Sequence, residues 1–269
     1  MQDATVRDVP PALGNPELAG RLAGRRPAVF LDYDGVLSPI VERPEDAVMS
    51  EHMRTVVRDL ATRVPVCVVT GRDRTVAQQL MGIDDLTIAG SHGFDIWTPT
   101  QGALSDTYVE QYTDLVSEVT ARLRDDTRDV PGAHVEPKRA SVAVHYRQVD
   151  PADRDRISAT VQTVMDAYSG KLKLTPGKMV YELGPNVDWN KGKAVLYLID
   201  VLGLDSDDIV PLYLGDDITD EYAFQALRDR GIGILVGDPD DPEVANRTTA
   251  ARYALASVDD VERFLATLT

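Results

Sequence analysis

Five short apolar runs, each ending in glycine or polar residues, constrain the fold of this chain more than any other feature of its sequence. They read AVFLDYD, PVCVVTGR, LTIAGSHG, IVPLYLGDD and GIGILVG. The segments between them have apolar residues at helical spacing, and one such helix is predicted to begin after Ser50 as its N-cap. Strands that are apolar at nearly every position and alternate with helices are typical of a parallel sheet with helices on both faces. The sequence therefore predicts an α/β fold.

The middle of the chain has a different pattern. Helical periodicity in residues 107–128 is followed by two short alternating segments, around 133–137 and 140–147. A second periodic segment, around 157–168, is followed by KLKLT and KMVYEL, with a turn predicted at the Pro-Gly pair between them. The order αββαββ predicts an antiparallel sheet that is covered by two helices on one face.

These two patterns predict two domains built from three segments of chain. We expect residues 1–105 and 184–269 to form the core, and residues 106–183 to form an inserted cap domain. Residues 1–15 are rich in Pro, Asp and Gly, and we expect them to be a poorly ordered lead-in to a short helix near 16–24.

Charge and cysteine content limit the partners and the compartment. The chain of 269 residues has 28 Lys and Arg against 44 Asp and Glu, a formal net charge of -16. This charge argues against nucleic acid or an anionic membrane as a partner, since both attract a basic surface. The one cysteine, Cys67, lies in an apolar run and is expected to be buried and reduced, and no stretch approaches the 18 apolar residues of a membrane span. We therefore expect a cytoplasmic protein.

The first apolar run ends in two carboxylates, Asp32 and Asp34, just before Gly35. In an open parallel sheet, ligands bind beyond the carboxyl ends of the strands. A carboxylate at this position can be a nucleophile, a metal ligand or both. The same D-x-D-G pattern is also typical of an ordinary turn with Asx hydrogen bonds. Alone, the pair leaves both interpretations open.

Three further polar features follow along the chain. Thr70 ends the strand predicted within VVTGR, Lys191 comes just before a predicted helix, and Asp216 and Asp217 end the run LYLGDD. Thr219 is predicted to be the N-cap of the next helix. Each feature alone is ordinary, because polar strand ends, surface lysines and acids in a first helical turn are common. Four such sites in this order indicate one site at the edge of the sheet.

This order resembles the haloacid-dehalogenase-like superfamily, which has a Rossmann-like parallel sheet and the pattern D-x-D, Ser/Thr, Lys and a final acidic pair. The resemblance implies a Mg²⁺ ion held by the carboxylates of Asp32 and Asp216 and the backbone carbonyl of Asp34. Lys191 and Thr70 would bind phosphoryl oxygens. Asp32 would attack phosphorus, and Asp34 would act as general acid and base. An acid at this second position favours a phosphatase or mutase over an ATPase, because an alkoxide leaving group needs a proton.

A closer resemblance is to the trehalose-6-phosphate phosphatases. It rests on FLDYDGVLSPIVERPEDAVMS, TGR, AGSHGFDI, SVAVHYR, GKMVYELGP, NKGKA and GDDITDEYAF. It implies hydrolysis of trehalose 6-phosphate through an aspartyl phosphate, and a cap that closes over the core. Because such a cap can complete the site within one chain, we expect a monomer. The implied substrate contacts are Arg72, His92, Lys138, Arg147, Lys178 and Glu182. Asp217 and Asp220 are further acidic candidates.

Alternation within SVAVHYR bears on two residues of the cap. It places His145 and Arg147 on the face opposite Val142 and Val144. If the valines pack on the helices of the cap, His145 and Arg147 lie on the polar face of the sheet. For His145 the favoured interpretation is an ordinary solvated face, and for Arg147 it is a substrate contact.

Two positions depart from the family pattern. Val36 stands where the family usually has threonine, and Gly184 stands where it often has a cation. Gly184 leaves room for a second substrate class, a related phosphorylated disaccharide or pseudo-disaccharide such as occurs in aminocyclitol biosynthesis.

Two other classes of protein use similar residues. A receiver domain also has an acid cluster, a threonine and a lysine, but its acid pair precedes the phosphorylated aspartate in a domain of about 120 residues. A catalytically silent sugar-phosphate sensor would have the same fold, but all four motif positions are intact here. The sequence therefore favours the enzyme.

Overall fold

The computed structural model describes residues 4–104, 111–177 and 179–268. The chain divides into two compact units: a core unit, Met1–Leu104 with Trp189–Thr269, and an insert unit, Ser105–Asp188. The second boundary lies later than the predicted 183, because the strand Val180–Pro185 pairs with its neighbour up to its last residue. Within the described residues, no helix has the length and apolar character needed to cross a membrane.

The described residues of the core unit form an eight-stranded sheet with helices. The strands of this sheet are β2 (Arg26–Leu31), β3 (Val66–Val69), β4 (Thr87–Gly90), β5 (Asp95–Thr98), β6 (Gly102–Ala103), β11 (Ile209–Gly215), β12 (Ile232–Val236) and β14 (Tyr253–Leu255). Two further short strands, β1 (Ala4–Thr5) and β13 (Thr248–Thr249), pair with each other. Its helices are α1 (Pro16–Leu22), α2 (Glu51–Ala61), α3 (Arg74–Met81), α6 (Lys191–Val201), α7 (Glu221–Ala226), α8 (Pro242–Ala245) and α9 (Val258–Thr267).

The described strands of the core sheet lie in the order β14-β12-β11-β2-β3-β4-β5-β6. Pairing is parallel from β14 to β4, and β5 and β6 add an antiparallel edge. The parallel α/β prediction is confirmed. Because β2 and β11 are neighbours in the middle of this sheet, their carboxyl ends lie side by side although they are far apart in sequence.

Helices cover both faces of this sheet. Successive side chains of a strand point to opposite faces, so neighbouring residues of β2 contact different helices. Val29 of β2 belongs to one buried apolar cluster with Met53 of α2. The next residue, Phe30, belongs to a second cluster with Leu198 of α6 and Phe224 of α7. Ser50 accepts a hydrogen bond from the backbone of Met53, so the predicted N-cap of α2 is confirmed.

The insert unit has the element order αββαββ. Its elements are α4 (Thr113–Thr127), β7 (His134–Pro137), β8 (Val142–His145), α5 (Arg154–Ala167), β9 (Leu172–Gly177) and β10 (Val180–Pro185). The strands form an antiparallel sheet in the order β7-β8-β10-β9. Val119 of α4 and Val161 of α5 belong to one buried cluster with Val144 and Leu183 of the sheet. The insert therefore has an apolar core of its own.

Two local predictions are wrong. Residues 4–15 are ordered rather than loose, since β1 pairs with β13 and the backbone N–H of Ala12 donates to the Ala254 carbonyl at 2.8 Å. A two-residue strand with a partner near the other end of the chain has no readable periodicity. Pro176 and Gly177 lie inside β9 rather than in a turn. Proline is tolerated there because β9 is an edge strand. Some backbone N–H groups of an edge strand have no partner strand, so their loss breaks no hydrogen bond of the sheet.

Candidate active site

Asp32 lies at the carboxyl end of the central strand β2. Its backbone N–H donates to the carbonyl of Leu214 at 2.9 Å, which continues the pairing of β2 with β11. Its side chain is buried, and Oδ1 accepts a hydrogen bond from the backbone N–H of Tyr33 at 2.7 Å. Oδ2 accepts from Lys191 Nζ at 2.7 Å. The carboxylate is therefore fixed in orientation from both sides.

Lys191 is the first residue of α6, whose N-cap is Asn190. Its side chain is 2% exposed, and Nζ donates to Asp32 Oδ2 and to Asp220 Oδ1, each at 2.7 Å. Burial alone would lower the pKa of this lysine, but Asp220 and Asp32 together raise it above its usual value. Lys191 is therefore a buried ammonium rather than a solvated surface lysine.

Two acids in the segment after β11, Asp220 and Asp217, differ in burial. Asp220 is fully buried, and its Oδ2 accepts from the backbone N–H groups of Asp216 and Asp217 at 3.0 and 2.9 Å. Asp217 is exposed, and its Oδ1 accepts from the backbone of Ile218 at 2.7 Å. Asp217 therefore caps the 3₁₀ turn Ile218–Asp220, and the prediction that Thr219 is the N-cap is wrong.

The three carboxylates of Asp32, Asp216 and Asp220 form a cluster. Each offers an oxygen, and these oxygens lie within 4.8 Å of one another. Burial, reinforced by Asp32 and Asp220, raises the pKa of Asp216 to about 9. Burial also raises the pKa of Asp32 to about 7, although Lys191 opposes this shift. One ammonium among three acids leaves an excess of negative charge, which a divalent cation with oxygen ligands would relieve.

Gly35 lets the D-x-D loop approach this cluster closely. Its φ is +73°, and a Cβ built there would lie 2.2 Å from Oδ2 of Asp216. A side chain at this position would therefore displace the carboxylate of Asp216. It would also destabilise the backbone, because residues other than glycine are strained at this positive φ.

Asp34 faces Arg72 rather than the carboxylate cluster. Arg72 Nε and Nη2 donate to its two oxygens at 2.7 and 2.6 Å. The backbone N–H of Arg72 donates to Thr70 Oγ1 at 3.1 Å, which leaves the hydroxyl proton of Thr70 available to a ligand. Thr70 follows β3, the neighbour of β2, and is buried at the same edge of the sheet. These residues therefore belong to the same strand ends as Asp32.

The GSHG segment is a strained turn that holds His92 against the Thr70 loop. Ser91 and His92 have φ values of 49° and 58°, in the left-handed region that residues other than glycine seldom adopt. The His92 backbone N–H donates to the Thr70 carbonyl at 2.8 Å, and the Ser91 hydroxyl donates to Asp73 at 2.9 Å. A Cβ at Gly71 would lie 2.7 Å from Cε1 of His92.

Two of the predicted substrate contacts meet on the sheet of the insert unit. Lys138 Nζ lies 2.9 Å from Glu182 Oε2, and Ser141 Oγ donates to Oε1 of Glu182 at 2.6 Å. The side chains of Lys138 and Glu182 are 16% and 18% exposed. The pair is therefore formed and still accessible to solvent.

The remaining three predicted residues of the insert are Arg147, His145 and Lys178, and each lies in different surroundings or outside the described residues. Arg147 is exposed and lies beyond the end of β8, so the alternation argument does not apply to it. His145 pairs with Glu136, with Nε2 and Oε2 2.7 Å apart. Lys178 lies outside the described residues.

With this geometry established, comparison with known proteins identifies the family. The family model described as trehalose-phosphatase matches residues 30–259. The chain belongs to the trehalose-phosphatase family. A probable trehalose-phosphate phosphatase 4 of Oryza sativa subsp. japonica is 40% identical over 269 residues, which cover 97% of this chain and 71% of the relative. Trehalose-phosphate phosphatase B of Arabidopsis thaliana is 39% identical over 93% of this chain and 68% of its own length.

Solved structures carry the same fold as this trehalose-phosphatase family member. The C-terminal domain of a trehalose-6-phosphate phosphatase from C. albicans superposes with a TM-score of 0.77 at 22% identity, over 96% of this chain and 98% of that one. An Aspergillus fumigatus trehalose-6-phosphate phosphatase gives a TM-score of 0.65 at 27% identity over the same shares.

One residue of the site was missed by sequence reasoning. The Tyr213 hydroxyl donates to Asp220 Oδ1 at 2.6 Å, and the side chain is fully buried in β11. A tyrosine within an otherwise aliphatic buried strand was the available signal, because a buried phenol needs a hydrogen-bond partner.

Proposed function

We propose that this member of the trehalose-phosphatase family is a Mg²⁺-dependent phosphatase that hydrolyses trehalose 6-phosphate to trehalose and phosphate. The observation that carries the proposal is the cluster of the Asp32, Asp216 and Asp220 carboxylates, two of which accept hydrogen bonds from the buried ammonium of Lys191. Family membership supports the substrate, since the relatives are named for trehalose phosphate.

The acidic cluster fits a cation that prefers oxygen ligands. Asp220 already accepts four hydrogen bonds, which occupy the lone pairs of both its oxygens. We therefore assign Mg²⁺ to the carboxylates of Asp32 and Asp216 and the backbone carbonyl of Asp34. Bound there, the ion would reduce the negative charge that opposes attack on a phosphate dianion.

Two side chains are proposed to bind the phosphoryl oxygens. Lys191 supplies a buried ammonium beside Asp32. Thr70 supplies a hydroxyl whose oxygen already accepts from a backbone N–H, so its proton is available for donation to a ligand. Both groups are fixed before a ligand arrives, and donors placed in advance stabilise developing charge without reorganisation.

In the proposed reaction, a carboxylate oxygen of Asp32 attacks phosphorus in line as the bond from phosphorus to the sugar oxygen breaks. The sugar oxygen keeps the bonding electrons and takes a proton from Asp34, so trehalose leaves as a neutral alcohol. Water then attacks the same phosphorus and gives a proton to Asp34. This second step releases phosphate and restores Asp32.

Sugar recognition is assigned to the residues that the family resemblance suggested. The accessible pair of Lys138 and Glu182 supports this assignment, because sugar hydroxyls both donate to carboxylates and accept from ammonium groups. Arg147, His92 and Lys178 remain candidates for the same role. We also keep the expectations of a cytoplasmic location and of a monomer, and gel filtration tests the second.

Gly184 supports a second substrate class. A Cβ there would make ordinary contacts, 3.5 Å from the Ala140 carbonyl and from Ser141 Cβ, so local packing does not explain why glycine replaces the cation that the family often has. A related phosphorylated disaccharide or pseudo-disaccharide is therefore the alternative substrate.

A substrate panel tests the proposal. Phosphate release is measured with Mg²⁺ on trehalose 6-phosphate, sucrose 6-phosphate, glucose 6-phosphate and a phosphorylated pseudo-disaccharide. We expect kcat/KM for trehalose 6-phosphate to exceed the others by at least about tenfold, roughly 1.4 kcal/mol of discrimination. Equal values would contradict this substrate, and binding without turnover would favour a sensor.

A further inference from the structure

Arg72 holds Asp34 with a planar, two-point ion pair. Nε donates to Oδ2 at 2.7 Å and Nη2 donates to Oδ1 at 2.6 Å. Such paired N–H···O bonds fix the plane of the carboxylate as well as its distance, which a single contact cannot do. They use two of the four lone-pair sites of the carboxylate, so each oxygen can still exchange a proton.

The guanidinium is itself held in place by its surroundings. Nη1 donates to the carbonyl of Pro44 at 2.8 Å, and Cζ lies 5.5 Å from the ring centroid of Tyr33. Tyr33 is fully buried, and its hydroxyl donates to the carbonyl of Ala47 at 2.6 Å. Arg72 is therefore a rigid support rather than a mobile surface arginine.

The backbone of Arg72 is fixed as well. Its N–H donates to Thr70 Oγ1 at 3.1 Å, and its carbonyl accepts from the Ser91 N–H at 2.8 Å. The side chain of Arg72 is only 14% exposed, whereas that of Asp34 is 39% exposed. Without the arginine, a carboxylate this exposed would have several rotamers open to it.

We propose that Arg72 is a positioning residue for Asp34, and that it does not bind the phosphoryl group of the substrate. The proposal rests on the function proposed above, in which Asp34 gives its proton to the leaving oxygen. Proton transfer needs hydrogen-bond reach to that oxygen, so losing the carboxylate's orientation slows the step. Arg72 acts through Asp34 and takes no part in bond making.

Substrates that differ only in the leaving group test this assignment. The value of kcat/KM covers the steps up to the loss of the leaving group, so it is independent of later hydrolysis of the aspartyl phosphate. p-Nitrophenyl phosphate releases a stable anion that needs no acid, whereas propyl phosphate releases an alkoxide that does. We measure kcat/KM for both with Mg²⁺, in the wild type and in Arg72→Gln.

We expect Arg72→Gln to lower kcat/KM about 10- to 100-fold for propyl phosphate and less than about threefold for p-nitrophenyl phosphate, as a mispositioned general acid would. An equal loss on both substrates would show a phosphate-binding arginine and overturn the proposal. Arg72→Lys, which keeps the charge but cannot form two parallel bonds, should show the same selectivity with a smaller loss. It gives the readout if the glutamine variant does not fold.

Two further variants separate the possible failures. Asp34→Asn should show the same dependence on the leaving group and a larger loss. If Asp34→Asn loses activity equally on both substrates, the acid role fails and the proposal for Arg72 fails with it. If only Arg72→Gln does so, the proposal for Arg72 fails alone. Arg54→Gln is the matched control, since Arg54 is also 14% exposed and donates to a backbone carbonyl, that of Met81.

Discussion

The charged residues of the core unit and those of the insert unit are organised differently. In the core, the side chains of Lys191 and Asp220 are 2% and 0% exposed, and Lys191 donates to both Asp220 and Asp32. In the insert, Lys138 and Glu182 form a pair that solvent still reaches. Burying ions costs several kcal/mol for each ion unless partners compensate, so such an arrangement persists where chemistry needs fixed charge in a dry site. Accessible pairs can instead be exchanged for sugar hydroxyls.

The largest effect is expected from removing the nucleophile. Asp32→Asn should lower kcat by at least about 10⁴-fold on every phosphate ester, because an amide cannot replace the carboxylate in bond formation. Phosphate release and thermal unfolding are measured together. Residual activity above about 1% in a folded variant would contradict the role of Asp32.

The effects of replacing Asp217 and Asp220 should differ sharply although the two acids are only three residues apart. Asp220→Asn should lower kcat about 10²–10³-fold, because it removes the buried negative charge that pairs with Lys191 and replaces one of two accepting oxygens with a donor. Asp217→Asn should change kcat by less than about threefold, since the amide oxygen can still accept from the Ile218 N–H. Steady-state kinetics of the pair decide this, and equal losses would contradict the difference drawn from their burial.

A smaller and more selective effect is expected in the insert unit. Glu182→Gln removes the charge that pairs with Lys138, and KM for trehalose 6-phosphate should rise about tenfold, or roughly 1.4 kcal/mol, while kcat/KM for p-nitrophenyl phosphate stays constant. Glu118→Gln is the control, since Glu118 accepts from the hydroxyl of Tyr168, which follows the helix α5 of the insert. An unchanged KM would remove Glu182 from the substrate contacts.

The smallest effect concerns stability without metal. The folded-state pKa values of Asp32 and Asp216 are raised, to about 7 and about 9, so the folded chain binds more protons than the unfolded chain between about pH 4 and 9. The stability that comes from protonating these two carboxyl groups in the folded state is complete below about pH 4. It is lost as the pH rises through about 7 and about 9. Mg²⁺ should therefore raise the Tm by several degrees more at pH 8.5 than at pH 5.5.

Differential scanning calorimetry with Mg²⁺ and with EDTA measures this difference. The same stabilisation at both pH values would show that the ion does not replace protons on these carboxylates. Asp217→Asn serves as the control, because its exposed carboxylate should leave the difference unchanged.

The sequence could predict where residues lie when they stand at the end of a strand or at the start of a helix. Asp32, Lys191 and Asp216 each occur at the end of an apolar run or the start of a helix, and parallel pairing brings such ends together. Asp220 was harder to assign, because an acid near the start of a helix is ordinary. Its burial depends on the loop after β11, which no periodicity describes.

Contacts between distant segments were beyond sequence reasoning. The pairing of Ala4–Thr5 with Thr248–Thr249 joins two segments too short to show a pattern. The family resemblance suggested a substrate contact for Arg72, whereas in the structure its guanidinium is engaged by Asp34, 38 residues earlier in the chain. Only the three-dimensional arrangement of the two loops shows which acid an arginine meets.

The central claim is that Asp32 attacks phosphorus, and chemical trapping of the intermediate tests it most directly. The protein is mixed with trehalose 6-phosphate and Mg²⁺, quenched within the first turnover and reduced with borohydride, which converts an aspartyl phosphate to homoserine. Peptide mass spectrometry should find homoserine at position 32, and only when substrate and Mg²⁺ are both present. Turnover without modification at position 32, or with modification at another acid, would contradict the claim.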